Sequence, residues 1–287
     1  MKIKNWVFIL FTLCIIGCDG DSSPVSEPPV FQKDTGLLGV WCWDDSNLNW
    51  NTYFDFIVKN GVTEIYYSST DFSERTEIFI EKASHNNIKV FFLTGKYEYI
   101  NDRSGIIGLM DNFILYQNGT TNTKKFSGVH LDVEPQQHPE FSRRYGELLQ
   151  DYIDFVVWFC SEYKTQTSID FDIPFWFDDE IIYKSQNIKL YEAVITEASR
   201  VFIMSYRDKS DEIYDISKDE INFAKLKNKQ IVLGVETDTS AEGGNITFFE
   251  EGKSYMYNEI HKLHPFCKTA DYGISIHHLR SWYDLRN

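Results

Sequence analysis

FSGVHLDVEP, residues 126–135, alternates its side chains: Val129, Leu131 and Val133 take one face of an extended chain, and His130, Asp132 and Glu134 take the other. The apolar face suits packing against helices. The polar face then has to line an interior, where an unpaired carboxylate costs several kcal/mol, so these groups must hydrogen-bond to one another or serve a function. Outward from this strand, similar runs recur as GLLGVWCWD from Gly36, VTEIYYSS from Val62, IKVFFLTG from Ile88, TSIDFDIPFWF from Thr167, RVFIMSYRD from Arg200, QIVLGVETD from Gln230 and YGISIHHL from Tyr272. With the opening run they make eight strands. Segments of helical period separate them, among them SERTEIFIEKASHNN, GIIGLMDNFILYQNG, FSRRYGELLQDYIDFVVWFCSEY, NIKLYEAVITEA, DEINFAKLKN and GKSYMYNEIHKLHPF. Alternating strands and helices predict an α/β fold with a parallel sheet, and eight units closing on themselves predict a single-domain (β/α)8 TIM barrel over residues 35–287. An open doubly wound sheet is the alternative, but no GxGxxG or GxxxxGK[ST] follows any strand, so nucleotide binding lacks a signature.

The first residues place Lys2 and Lys4 before an apolar run from Trp6 to Ile16, followed by Gly17 and Cys18. A basic start and an apolar stretch of about 7–15 residues describe a secretory signal, too short for a membrane span. Ile15-Ile16-Gly17-Cys18 resembles the bacterial lipobox, which implies a lipoprotein signal peptide over residues 1–17 and acylation of Cys18. Two acyl chains anchor where one holds only marginally. Residues 18–34 are polar and proline-rich and read as a flexible tether. The expected location is the cell envelope, exported and attached to the membrane by lipid alone. The acidic residues after Cys18 resemble a surface-export signal, whereas Asp19 directly after it resembles a retention signal, so both leaflets stay open.

The formal net charge of −15 becomes −17 once Lys2 and Lys4 leave, which excludes the basic footprint that nucleic acid requires. A hydrophobic content of 43% is ample for a core, and 16% aromatic residues leave rings to stack on sugars. Of five cysteines, Cys42, Cys160 and Cys267 remain after the signal and the lipid site, too widely spaced for a disulfide framework or a metal signature. Buried thiols, or one bridge at most, are expected. No cofactor is implied, and a monomer is expected.

Barrels of this kind gather their chemistry at the C-terminal ends of the strands. There the sequence places Trp43 and Asp44, Tyr67, Asp132 and Glu134, Asp172 and Trp176, Tyr206 and Arg207, Glu236, and His277 with His278. The fourth strand resembles the one that defines family 18 glycoside hydrolases, the chitinases and endo-β-N-acetylglucosaminidases, whose pattern is F-D-G-hydrophobic-D-hydrophobic-D-aromatic-E. Two of that pattern's aspartates are replaced here by Ser127 and His130, while Asp132 and Glu134 are kept. The resemblance implies Glu134 as general acid on the glycosidic oxygen and Asp132 as the residue orienting a substrate acetamido group. Met204-Ser205-Tyr206-Arg207-Asp208 resembles the family's Met-x-Tyr-Asp, with its aspartate replaced by Arg207 or displaced to Asp208, and implies that Tyr206 holds the acetamido oxygen. Trp43, Tyr67, Trp176 and Trp282 are the candidate sugar platforms, and Asp44, His130, Asp172, Arg207 and His277 the remaining candidate substrate contacts.

Three further readings fit the same residues. Glu236 could be the nucleophile of a two-carboxylate glycosidase, retaining at a carboxyl separation of about 5–5.5 Å and inverting at about 6.5–9.5 Å; it could instead cap its loop or pair with Arg207. A silent barrel could bind glycan or a protein partner at the envelope, as the two replaced aspartates permit. Convergence of His130, Asp132, Glu134 and His277 would suit a metal-dependent hydrolase such as a deacetylase, although no HxH or HExxH spacing occurs and no metal is called for. A nucleophilic serine lacks its GxSxG signature.

Overall fold

The computed structural model describes residues 36–43, 50–69 and 71–287. The expected signal peptide, Cys18, the tether and Asp44 lie outside the described residues. In chain order the strands are β1 (Leu38–Cys42), β2 (Glu64–Tyr67), β3 (Lys89–Thr94), β4 (Gly128–Leu131), β5 (Ile169–Pro174), β6 (Glu180–Tyr183), β7 (Gln186–Lys189), β8 (Arg200–Met204), β9 (Ile231–Glu236) and β10 (Tyr272–His277). All but β6 and β7 close a parallel barrel in the order β1-β10-β9-β8-β5-β4-β3-β2. The helices that alternate with them are α1 (Trp50–Lys59), α2 (Glu74–His85), α3 (Ser104–Gly119), α4 (Tyr145–Tyr163), α5 (Leu190–Glu197), α6 (Ser210–Leu226), α7 (Lys253–Cys267) and α8 (Leu279–Asp284).

The pleat sorts each strand into two cores. Val90, Phe92, Val129, Leu131, Phe171 and Ile203 point outward into the layer between sheet and helices. Leu37, Trp41, Tyr66, Phe91, Leu93, Phe202 and Val232 fill the barrel itself. Cys42, Cys160 and Cys267 are buried and lie outside any disulfide.

β6 and β7 form an antiparallel hairpin that the sequence reading did not resolve. Its turn places Lys184 and Ser185 at φ of 49° and 66°, the left-handed geometry usually signalled by Asn-Gly. Two candidate platforms also fall elsewhere. Tyr67 is buried on the outer face of β2, its ring against Phe79 and Trp50, because the pleat turns Tyr66 inward and its neighbour out. Trp282 is wholly buried; its indole N–H donates to Tyr257 Oη at 2.9 Å and its ring lies 4.8 Å from Phe56. The i, i+3 spacing of Leu279 and Trp282 turns both toward the core, so Trp282 is a packing residue and meets no sugar.

An ionic plug closes the N-terminal end of the barrel. Arg200 Nε lies 3.2 Å from each Asp170 oxygen, Arg200 Nη1 donates to Glu64 Oε2 at 2.8 Å, and Tyr66 Oη donates to the same Glu64 oxygen at 3.1 Å. The guanidinium also stacks 4.6 Å from the Phe91 ring centre. A cavity of about 700 Å³ opens below this plug, lined by Glu64, Lys89, Arg200 and Gln230. Removing one member of a buried ion network strands the others. Arg200→Met is therefore expected to cost about 3–5 kcal/mol in urea unfolding, and a loss under about 1 kcal/mol, the value of an exposed pair, would contradict a buried network.

Candidate active site

β4 ends at Leu131, and the chain stays extended through Asp132 to Glu134, whose φ and ψ are −107° and 99°. The Asp132 N–H donates to the Thr94 carbonyl at 3.0 Å. Gly95 lies directly against this backbone: a Cβ there would sit 1.8 Å from the Asp132 carbonyl oxygen. Pro135 then opens a single 3-10 turn, Pro135–Gln137, which swings the Gln136 and Gln137 amides back to donate to the two Glu134 carboxylate oxygens. Burial raises the Glu134 acid above its ordinary value, against the opposing pull of Gln137, His277 and Gln136.

Below Glu134 lies a buried floor. His130 is fully buried, stacked 4.3 Å from Tyr66 and edge-on 4.5 Å from Phe202. Burial pushes its pKa down to about 3, so it is neutral and its Nε2–H donates to Asp172 Oδ2 at 2.8 Å. The Trp41 indole N–H donates to the same oxygen at 3.1 Å. Asp172 and Asp132 both stand well above the usual carboxylate range, first through burial; for Asp132 the charges of Asp172 and Glu134 add to it.

At the far wall Glu236 is saturated with donors. Its Oε1 accepts the Thr237 and Asp238 N–H groups at 2.7 and 2.8 Å, and its Oε2 lies 2.8 Å from His277 Nδ1. Of the two roles open to it besides nucleophile, capping its own loop is the one observed, and its side-chain partner is His277, not Arg207. Trp43 donates its indole N–H to His277 Nε2 at 3.0 Å, which requires a neutral ring carrying its proton on Nδ1. Burial lowers the His277 pKa, while the hydrogen bond and charge of Glu236, with Asp132 and Asp172, outweigh it and favour the imidazolium. The two influences compete, and the indole bond is the one that protonation would break.

Tyr206 sits half-buried beside His277, ring centres 6.0 Å apart, with its hydroxyl held above the usual phenol range by burial and then by the charge of Glu236. Arg207 turns away from Glu236: its Nη1 donates to the Tyr206 carbonyl at 2.6 Å and its guanidinium covers the Phe175 ring at 4.9 Å. Trp176 is half-buried between Phe141 and Phe177. Asp132, Glu134, Tyr206, Glu236, His130, Asp172, His277 and Trp43 thus meet at one end of the barrel, whereas Tyr67 and Trp282 do not. Trp41, Gln136 and Gln137 were missed by the sequence reading. Alternation puts Trp41 on the face of Trp43, but two residues deeper than the strand end where such sites gather. The histidines do not converge on a metal: His130 serves Asp172, His277 serves Glu236, and His278 Nε2 faces Asp238 Oδ2 at 3.6 Å. Among the described residues no cluster of three or more His, Cys, Asp or Glu has the geometry of a metal site.

No family model and no curated protein matches the sequence. Solved structures do match in fold. A plant class V chitinase mutant from Cycas revoluta, in complex with (GlcNAc)3, superposes with a TM-score of 0.53 at 10% identity, covering 86% of this chain and 96% of that one. The spore cortex-lytic enzyme SleL of Bacillus megaterium QM B1551 gives 0.51 at 11% identity over 89% of this chain and 74% of that one. TsXylA, an intracellular xylanase from Thermoanaerobacterium saccharolyticum, gives 0.53 at 10% identity over 88% and 89%. This chain therefore has the closed parallel barrel found in those glycoside hydrolases.

Two outcomes check this geometry. Gly95→Ala should displace the Asp132 backbone and destabilise the protein by about 1–3 kcal/mol in thermal unfolding, the usual cost of overpacking; an unchanged Tm would contradict the close approach. Trp43→Phe removes the donor that favours neutral His277, so NMR titration of that ring should show its pKa rising by about one unit, the equivalent of one hydrogen bond. A pKa that stays or falls would show that the indole does not hold the ring neutral.

Proposed function

We propose that this protein is a glycoside hydrolase acting on a β-linked glycan of the envelope or environment, with Glu134 as general acid. The observation that carries this reading is the pairing of Asp132 and Glu134 at the C-terminal mouth of an eight-stranded barrel, with burial holding the Glu134 acid above its usual range. A raised pKa keeps Glu134 protonated, and so able to protonate a glycosidic oxygen, to higher pH than a free glutamic acid. Bond cleavage transfers that proton to the leaving oxygen. For a substrate bearing an N-acetyl group, the acetamido oxygen attacks the anomeric carbon, Asp132 orients the amide N–H and Tyr206 holds the oxygen. Glu236 supports this division of labour, since its oxygens already accept Thr237, Asp238 and His277, and acting as nucleophile would cost one of those bonds. Gln136 and Gln137 have to release one Glu134 oxygen when substrate enters. Trp43 and Trp176, both half-buried, are the rings proposed to stack on sugar. Acylated Cys18 would hold the enzyme at the envelope.

A second reading, a silent glycan-binding barrel, draws on the tethered Glu134 carboxylate and on His130 in place of a carboxylate. Hydrolysis decides between them. The purified chain, screened with aryl glycosides and GlcNAc oligomers, should cleave at least one, and Glu134→Gln should lower kcat by about 10²–10⁴-fold. Activity should fall as pH rises through the raised Glu134 pKa, because only the protonated form can donate. Binding of the same glycan by both proteins without cleavage would replace the enzyme with a lectin-like barrel; loss of cleavage with a chelator would point to a metal-dependent hydrolase.

A further inference from the structure

We propose that Asp172 is the positioning partner of Asp132, the two carboxyls sharing a single proton between their Oδ1 atoms on the floor of the site. The β4–β5 register pairs His130 with Asp170 and Leu131 with Phe171, so the next step along both strands sets Asp132 beside Asp172 with both side chains turned inward. Asp172 Oδ2 is taken by Trp41 and His130. The Oδ1 atoms of Asp132 and Asp172 are both sealed from water with no hydrogen-bond partner. Two orphan acceptors on adjacent buried carboxyls are both satisfied by one O–H···O bond, and like charges so placed cannot both ionise.

Among the described residues no guanidinium takes the proton's place: Arg200 is committed to Asp170 and Glu64 at the opposite end and Arg207 lies over Phe175. His277 faces the pair, and its charge lowers both acids, but its Nδ1 is turned to Glu236 and its Nε2 to the Trp43 indole. The other groups facing the pair are neutral or acidic: His130 from β4 and Glu134 after it, Asp170 from β5, Tyr206 after β8, and Tyr152 of α4, whose hydroxyl is itself buried and unpartnered. Trp41 and His130 fix Asp172 Oδ2 as an acceptor, so the shared proton lies on the Oδ1 side of the pair. The pair then carries one negative charge, available to accept an N–H from above. β5 thus supplies the second carboxyl that His130 cannot. The catalytic consequence rests on the hydrolase reading; the shared proton does not.

Carboxyl ¹³C NMR of the full chain labelled with ¹³C-aspartate tests the pair without reference to activity. The wild type should show two coupled aspartates, one titrating well above the ordinary range. In Asp172→Asn the upper step should vanish and Asp132 should return toward an ordinary value, a shift that a merely structural role would not produce. Should that variant not fold, Trp41→Phe removes one donor to Asp172 Oδ2 and should push the upper step higher. An Asp132 titration indifferent to either substitution, or two independent ordinary titrations in the wild type, overturns the proposal. In a hydrolysing enzyme Asp172→Asn should also lower kcat on the order of tenfold, the worth of one pKa unit, with KM unchanged. An intact pair in a wild type that cleaves nothing upholds the shared proton and overturns the hydrolase reading.

Discussion

One acceptor atom, Asp172 Oδ2, organises the upper half of this barrel. A carboxyl group in a closed, water-free interior has to be given donors by side chains that can reach it, and here β1 sends Trp41 and β4 sends His130. Both donors are themselves fixed by packing: His130 lies on Tyr66 and against Phe202, and the Trp41 ring is 5.5 Å from Tyr66 and 5.7 Å from His277. The floor beneath Asp132 and Glu134 is thereby rigid, which is what a site needs to hold reacting groups in register.

The two ends of the barrel treat buried charge in opposite ways. At the N-terminal end Asp170 and Glu64 are matched by Arg200, and the plug closes the bottom of the fold. At the C-terminal end Asp132, Glu134 and Asp172 face His277 rather than a guanidinium, and burial raises all three acids against its pull. Carboxyls held above their ordinary range keep their protons to higher pH, and this is the end where βα loops assemble active sites in barrels of this kind.

Much of this was legible in the chain. The eight barrel strands coincide with the eight apolar runs, because a strand covered by helices outside and side chains inside has to be β-branched and aromatic along most of its length. His130, Asp132 and Glu134 were placed on the inner face by alternation alone. The same rule failed at Glu64-Ile65-Tyr66-Tyr67, where all four residues are buried and two adjacent tyrosines hide the phase of the pleat. The β6–β7 hairpin went unread because Lys184 and Ser185 adopt left-handed geometry without the glycine or asparagine that announces it. Trp282 was misplaced because its rim position in sequence says nothing of which way its helix faces.

By itself, then, the sequence determined the barrel, the face of each clearly alternating strand, and the presence of a carboxyl-rich fourth strand, since these follow from periodicity within a single segment. Which carboxyl meets which donor was decided only by the tertiary structure. Glu236 with His277 and Trp43, and Asp172 with Trp41 and His130, join residues 41, 42, 131 and 234 positions apart in pairwise steps, and Asp132 with Asp172 depends on the register between strands. Local pattern carries no information about such register. Closure of the barrel does, because it sets every inward side chain at a height and an angle against all the others.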